Sequence, residues 1–245
     1  MSGIRPLTVA HRGDSAHQPE NTLPALAAAI AAKADAVEFD VRLSRDGVPV
    51  VQHDADLHRF GGTRKLVRRH SAKELATADV GSWFASASSG VGVPSLAEWI
   101  AATPAHLGLC LELKPDRGDN GALVRATLRV LRRTRAIQRT WLLCFQPSPL
   151  HLAHRLEPSL RLVRNIERPP RDVASWLRRQ PPLVAVDANI ELLTPTAAAA
   201  LHQAGLAVWC WTCTTTAHLR RAQQCRCSAV IANDPAWCRK NLARS

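Results

Sequence analysis

The chain has 245 residues, 46% of them hydrophobic and 21% charged, and carries a formal net charge of +12. It contains no low-complexity tract and no apolar run of the ~18 residues that a membrane span needs, which excludes disordered, fibrous and membrane-spanning classes. Since its N-terminal residues lack the features of a secretory leader, the sequence predicts a cytoplasmic globular protein.

Short apolar runs typical of strands alternate with helical patterns along the chain. The predicted strands lie at 7–11, 36–43, 48–53, 107–113, 140–145, 160–164, 183–187, 206–212 and 229–232. The predicted helices lie at 23–34, 96–102, 122–133, 149–156, 171–179, 195–205, 217–224 and 235–243. Asp46-Gly47 indicates a two-residue hairpin turn, which makes the third run a hairpin arm. The other eight strands predict an α/β fold, a (β/α)8 TIM barrel.

One long stretch, 54–93, has no sustained period and separates the hairpin from the next predicted helix. A stretch of this length in a compact domain is typical of a functional insertion. We therefore predict a single barrel domain over 1–245, with an insertion at about 54–93 that follows His53 directly.

The densest basic run, 129–139, overlaps a set of apolar residues at helical spacing that includes Leu123, Leu128 and Leu131. This pattern predicts the solvated face of an amphipathic helix. The chain has no Tyr and no recognisable nucleic-acid-binding motif. The positive charge therefore favours a small anionic partner over nucleic acid.

Seven cysteines without a secretory leader favour reduced thiols over a disulfide framework. Cys210 and Cys213 have the spacing of a zinc or redox pair, and Cys225 and Cys227 follow them. However, Cys210 lies inside an apolar run, and C-x-C spacing is poor for zinc. Packing in the core is the favoured interpretation, with metal or redox chemistry as the alternative.

Polar residues mark the carboxyl ends of three predicted strands, where barrel enzymes place their active sites. They are His11 and Arg12 on the first strand, Glu38 and Asp40 on the second, and Glu112 and Lys114 on the fourth. Within each of the last two pairs, side chains two residues apart share a face. Three carboxylates on apolar strands need compensating charge, and without a soft ligand they predict Mg²⁺ or Ca²⁺. The alternative is a network of salt bridges without a metal.

The hairpin brings a second histidine to this cluster. With a two-residue turn, Asp40 would lie directly across from His53, and a bulge would shift that pairing by one residue. His11 arrives on the neighbouring strand. Two histidines, a divalent cation and nearby basic side chains predict cleavage of a phosphodiester with one proton removed and one donated.

At these residues the sequence resembles the glycerophosphodiester phosphodiesterase family. The similar segments run in order over nearly the whole chain: His11-Arg12-Gly13, Pro19-Glu20-Asn21-Thr22, Glu38-Phe39-Asp40-Val41, Asp46-Gly47 through His53-Asp54, Pro94-Ser95-Leu96, Leu111-Glu112-Leu113-Lys114, Trp211-Thr212 and Asp234-Pro235. Departures from the usual pattern, which bear on substrate preference, are Arg59-Phe60, Cys144-Phe145, Cys213 and Asn233.

The resemblance implies a (β/α)8 barrel with an insertion after the second histidine, as 54–93 would be. The implied site residues are the metal ligands Glu38, Asp40 and Glu112, the general acid and base His11 and His53, the phosphate-binding Arg12 and Lys114, and Trp211 beside the alcohol or glycerol. Trp211 could equally be a barrel-wall residue.

The implied activity is metal-dependent hydrolysis of glycerophosphodiesters to sn-glycerol 3-phosphate and an alcohol, in lipid and glycerol metabolism. Either water or the substrate's own 2-hydroxyl could be the nucleophile. One alternative is a lysophospholipase D-like enzyme, for which Trp83 and Phe84 of the insertion could form an apolar entrance. The other is a catalytically silent barrel that binds polyanions through its basic charge.

Overall fold

The computed structural model describes residues 5–62, 64–119 and 121–242. The strands of this part are β1 (Leu7–His11), β2 (Ala36–Leu43), β3 (Pro49–Val51), β4 (Gly108–Leu113), β5 (Thr140–Cys144), β6 (Arg161–Ile166), β7 (Ala185–Asn189), β8 (Ala207–Trp211) and β9 (Ala229–Ala232). All except β3 pair in parallel, from β1 through β2 and β4 to β9, and β9 pairs with β1 again. The predicted (β/α)8 barrel is therefore confirmed.

The helices are α1 (Leu23–Ala31), α2 (Ala72–Ala76), α3 (Leu96–Ala102), α4 (Ala122–Arg133), α5 (Pro147–Leu156), α6 (Val173–Leu177), α7 (Pro195–Gln203), α8 (Thr216–Gln224) and α9 (Pro235–Leu242). Apart from α2 they match the predicted helices within four residues at each end, although the last was predicted to reach residue 243, which lies outside the described residues. Thr22 and Thr194 accept from backbone N–H groups as N-caps of α1 and α7. No helix of the described ranges is long and apolar enough to cross a membrane.

The barrel lumen is filled by one face of the strands. Its apolar side chains include Val9, Leu143, Val163 and Ile231. The opposite faces pack against the outer helices in two larger apolar clusters. Because side chains alternate along a strand, the residues two positions beyond these lumen residues also face inward, at the carboxyl end of the barrel.

The segment between β3 and α3 forms the predicted insertion. It holds α2 and three short 3₁₀ turns around a small apolar cluster of its own, which includes Phe60, Val67 and Leu75. Ser71 and Glu74 cap α2 reciprocally. These short elements were not predicted, since no period in the sequence marks them.

The hairpin register predicted from the sequence is wrong by one residue. Gln52, not His53, lies across from Asp40, and its N–H donates to the Asp40 carbonyl at 2.9 Å. The turn has three residues rather than two, and Gly47 at φ +74° takes the left-handed position that ends such turns. Because β3 ends at Val51, the chain leaves the pleat before His53 and still brings this side chain to the barrel mouth.

The basic run divides into two parts. In α4 the apolar Leu123, Leu128 and Leu131 are buried while the arginines of its outer face are exposed, as predicted. Arg139 lies beyond the helix and differs from the prediction. Its guanidinium is partly buried and donates to the Pro104 carbonyl at 2.6 Å.

All seven cysteines are reduced and buried. Five of them lie in the apolar cluster between the last strands and the outer helices, where the sulfurs of Cys210 and Cys213 are 3.7 Å apart. No three cysteine sulfurs of the described chain come within 4.8 Å of one another. This arrangement agrees with core packing.

Candidate active site

A cavity of about 240 Å³ opens at the carboxyl ends of the barrel strands. The site residues predicted from the sequence that line it are His11, Arg12, Glu38, His53, Glu112, Lys114 and Trp211. Asp40, the remaining one, is buried beside them and contacts both Arg12 and Lys114. The fold thus brings predicted residues that are far apart in the sequence, from His11 to Trp211, to one cavity.

Strand register explains the acidic cluster. Asp40 on β2 lies beside Glu112 on β4, and Glu38 on β2 lies beside His11 on β1. The three carboxylates are buried, and each offers an oxygen within 4.8 Å of the others.

The carboxyl groups of the cluster repel one another in a poorly solvated space. Burial, together with the neighbouring carboxylates, raises the pKa of Glu38 well above its usual range and that of Glu112 to about 7. Burial alone would also raise the pKa of Asp40, but Lys114 and Arg12 hold it well below its usual range. A bound cation would relieve this repulsion.

Salt bridges neutralise the cluster only in part. Lys114 Nζ lies 3.2 Å from Asp40 Oδ1 and 2.5 Å from Glu112 Oε1, and Arg12 Nε lies 3.2 Å from Asp40 Oδ2. Glu38 forms no ion pair with a Lys or Arg side chain of the described ranges, and its Oε2 accepts from the Arg12 backbone N–H at 3.0 Å. An all-oxygen set with such unsatisfied charge fits a hard divalent cation.

Each histidine is held through its Nδ1 atom. His11 Nδ1 lies 2.6 Å from Asn233 Oδ1, and His53 Nδ1 lies 2.7 Å from Asp54 Oδ1. The Nε2 atom of His11 lies 3.9 Å from Glu38. Burial, reinforced by Arg12, lowers the pKa of His11 to about 4, and burial also lowers the pKa of His53. Both imidazoles are therefore neutral near pH 7 and can accept a proton.

Asn21 supports the acidic cluster. Its Nδ2 donates to Asp40 Oδ2 at 2.9 Å, and its Oδ1 accepts from the Asp40 N–H at 3.2 Å. The N-cap of α1 is the neighbouring Thr22. Asn21 is thus free to fix the Asp40 carboxylate.

Arg59 joins the insertion to the barrel. Its Nε donates to Asp54 Oδ2 at 2.6 Å, and its Nη2 donates to Glu20 Oε1 at 2.6 Å. Glu20 in turn accepts from Arg12 Nη1 at 2.8 Å. A continuous chain of charged groups therefore runs from the His53–Asp54 pair to Arg12.

The remaining wall of the cavity combines aromatic, aliphatic and polar side chains. Trp211 contacts Phe145 edge-on at 5.6 Å between ring centroids, and its Nε1 donates to the Asp187 carbonyl at 3.3 Å. Asn165 and Asp187 also line the cavity and were missed by the sequence analysis. Their signal was the period-two pattern, which places both on the lumen face.

Comparison with known proteins adds independent evidence. The model of the glycerophosphoryl diester phosphodiesterase family matches residues 11–237. A glycerophosphodiester phosphodiesterase of Bacillus subtilis is 31% identical over 180 residues, covering 68% of this chain and 61% of the relative. One from Caldanaerobacter subterraneus is 37% identical over 95 residues, covering 39% of each. The matches span about half the length of such curated relatives.

Solved structures share the architecture over the full barrel. An Oleispira antarctica phosphodiesterase in complex with the product sn-glycerol-3-phosphate superposes with a TM-score of 0.89 at 27% identity, covering 97% of both chains. A glycerophosphodiester phosphodiesterase of Agrobacterium tumefaciens has the same fold, with a TM-score of 0.79 at 24% identity, covering 98% of this chain and 100% of the other. Together with the match over residues 11–237, this places the chain in the glycerophosphoryl diester phosphodiesterase family.

Proposed function

We propose that this protein is a metal-dependent phosphodiesterase that hydrolyses glycerophosphodiesters to sn-glycerol 3-phosphate and an alcohol. The observation that carries the proposal is that two neutral imidazoles, two basic side chains and two buried carboxylates line one cavity, with the third carboxylate, Asp40, buried directly beside it. Family membership and the product complex of the Oleispira relative support it.

Glu38, Asp40 and Glu112 would hold the metal, which we propose to be Mg²⁺ or Ca²⁺ because every ligand is a carboxylate oxygen. When bound, such an ion lowers the pKa of a coordinated hydroxyl and offsets negative charge on phosphate oxygens. Asn21 keeps the Asp40 carboxylate in place through two hydrogen bonds.

Arg12 and Lys114 are proposed to bind the phosphate, since both line the cavity next to the carboxylates. They stabilise the charge that builds up on the phosphate oxygens during cleavage. One of the two histidines, His11 and His53, takes the proton of the attacking hydroxyl, and the other, in its protonated imidazolium form, donates one to the leaving alcohol. Trp211 lines the same cavity and would pack against the substrate's carbon skeleton.

An assay with glycerophosphocholine tests the proposal. We expect release of sn-glycerol 3-phosphate and choline, loss of turnover with EDTA, and recovery when Mg²⁺ or Ca²⁺ is added back. Release of phosphocholine and glycerol instead, or turnover that resists complete removal of metal, would contradict it. Absence of turnover with salt-sensitive binding of polyanions would support the silent binding module.

A second candidate, a lysophospholipase D-like activity, has two observations in its favour. A mouse lysophospholipase D is 47% identical over 66 residues, covering 27% of this chain and 20% of the relative. Trp83 of the insertion is 41% exposed and contacts Phe84. Neither aromatic residue lines the cavity, so we favour the smaller substrate. A single domain over 1–245 and a cytoplasmic location stay predictions of the sequence.

A further inference from the structure

Two buried polar side chains of the cavity wall have no role in the mechanism above. Asn165 on β6 and Asp187 on β7 are paired in the strand register and lie side by side. They are 3% and 1% exposed, and both line the cavity. Their neighbours in the lumen, such as Leu143 and Ile231, are apolar.

Neither side chain has a hydrogen-bond partner among the residues that the structure describes. The Oδ1 atoms of Asn165 and Asp187 are buried without a hydrogen bond, and within the described ranges neither side chain donates to or accepts from another residue. Asp187 forms no ion pair with the described basic residues; only its backbone carbonyl is bonded, to Trp211. Buried polar groups are almost always satisfied, so an unpartnered pair in a cavity wall indicates a ligand that supplies the missing bonds.

We propose that Asn165 and Asp187 form a hydroxyl-binding subsite that receives the terminal hydroxymethyl group of the substrate's glycerol. An amide and a carboxyl group side by side offer both a donor and acceptors, which matches a hydroxyl that accepts one bond and donates another. A quaternary ammonium has no atom that could accept a hydrogen bond, so the donor of this pair would stay unused. Burial also raises the pKa of Asp187 well above its usual range, which favours a neutral carboxyl over an anion that attracts cations.

The glycerol end, rather than the leaving alcohol, fits this wall. The glycerol end is the same in every glycerophosphodiester, whereas the alcohol varies in size and needs the open mouth. Glu167 and Asn189 lie one inward-facing position closer to that mouth and bond to each other at 3.1 Å, which leaves Asn165 and Asp187 deeper in the lumen. The proposal rests on the phosphodiesterase function proposed above and adds its substrate selection.

The subsite predicts discrimination against acylated substrates. In a 1-acyl lysophospholipid the terminal oxygen is an ester and has no proton to donate. Its acyl chain would also have to enter a cavity of about 240 Å³. We therefore expect the protein to act on deacylated glycerophosphodiesters and to reject 1-acyl lysophospholipids.

A cycle of substrate and protein changes tests this subsite. The substrates are glycerophosphocholine and its analogue with a methyl group in place of the terminal hydroxymethyl, which keeps the 2-hydroxyl and the phosphocholine. We expect the wild type to prefer glycerophosphocholine by about 10- to 100-fold in kcat/KM, and Asp187→Ala or Asn165→Ala to lose most of that preference. Glu167→Gln, at the mouth, should change both substrates equally because they share the choline.

Stability and binding provide readouts that a purely structural role would not give. Because the pair is unpartnered in the free protein, Asp187→Ala should leave Tm unchanged or raise it, whereas a structural role predicts a lower Tm. If Asp187→Ala does not fold, Asp187→Asn takes its place. Calorimetry then tests the same contact by comparing the affinity for sn-glycerol 3-phosphate with the affinity for propane-1,2-diol 1-phosphate. Equal binding of the two ligands by the wild type overturns the subsite.

The outcomes separate the two proposals. Failure of the wild type to hydrolyse either phosphodiester contradicts the proposed function. Hydrolysis of glycerophosphocholine with equal use of its methyl analogue, or equal turnover of 1-acyl lysophosphatidylcholine, leaves the function standing and overturns the subsite. A preference for glycerophosphocholine that the Asp187→Ala and Asn165→Ala variants lose supports both.

Discussion

His11 is the residue whose environment has the clearest consequence for stability. Its pKa is about 4 in the folded protein, because of burial and then Arg12, against 6.5 for an ordinary imidazole. Between these values the unfolded chain binds a proton that the folded chain does not, so stability falls as the pH falls through this window. For this group the loss is on the order of 3 kcal/mol across the window.

We therefore expect the free energy of unfolding in metal-free buffer to drop less steeply between about pH 6.5 and pH 4 in His11→Gln than in the wild type. Urea denaturation at several pH values measures this difference. The exposed His106→Gln serves as the matched control for the loss of an imidazole. Parallel curves for wild type and His11→Gln would show that His11 does not resist protonation.

The acidic cluster leads to a prediction about metal affinity. Glu38→Gln, Asp40→Asn or Glu112→Gln should each weaken Mg²⁺ or Ca²⁺ binding by about 100-fold or more and remove most activity, since an amide keeps the volume but not the charge. Calorimetry with each metal and a thermal melt check binding and folding. Glu157→Gln, a surface carboxylate paired with Arg132, is the control. Full activity of a variant at limiting metal would show that the replaced residue is not a metal ligand.

At single residues, the sequence predicts the charged groups of the metal and phosphate site better than the polar groups deeper in the barrel. Glu38, Asp40 and Glu112 stand out because charge on apolar strands demands an explanation. The predicted strand ends at residue 164, one residue before Asn165, so the alternation that places Asn165 on the lumen face lies outside it. Asp187 is the last residue of its predicted strand, where a polar side chain does not stand out.

Among the elements, the hairpin between β2 and β3 links a tight turn to the position of His53. Gly47 has φ +74° and open space around it, so Gly47→Val introduces backbone strain without a clash. We expect a loss of about 1–2 kcal/mol in stability and, because β3 leads directly to His53, a fall of roughly 10-fold in kcat.

Gly205→Val is a matched control for this change. Gly205 has φ +81° in equally open space but follows α7, away from the hairpin. Both variants should lower Tm by similar amounts, and only Gly47→Val should lower kcat. Equal kcat values in the two folded variants would mean that other contacts position His53.

The hairpin also marks the limit of prediction for an element. Ser-Arg-Asp-Gly accommodates both a two-residue and a three-residue turn, and the choice shifts every opposed pair by one residue. The strand pattern cannot decide between them, since β2 and β3 are buried on both faces. His53 still reaches the barrel mouth despite the shift of one residue, because β3 ends before it.

Arg59 gives the insertion a direct influence on the active site. We expect Arg59→Ala to lower kcat by about 10-fold, because Asp54 loses the partner that fixes it against His53, with a smaller effect on KM. Steady-state kinetics on glycerophosphocholine measures the changes in kcat and in KM separately. Arg69→Ala, an exposed arginine of the same insertion, should behave as the wild type. An unchanged kcat in Arg59→Ala would show that Asp54 is held by other contacts.

At the scale of the molecule, the barrel could be predicted because each βα unit repeats a local pattern of buried strand and amphipathic helix. The interior of the insertion could not, because its short turns depend on tertiary contacts. Phe60, for example, packs on Trp83 at 5.5 Å, more than twenty residues away in sequence. Local periodicity therefore located the insertion but not its structure.

The burial of every cysteine gives this protein a built-in reporter of its own unfolding. Seven thiols are hidden from a water-soluble thiol reagent in the folded state, and global unfolding exposes them together. The rate of reagent uptake under native conditions would then measure how often the barrel opens. For the same reason, one cysteine introduced on the surface could carry a fluorescent probe without removal of the native seven.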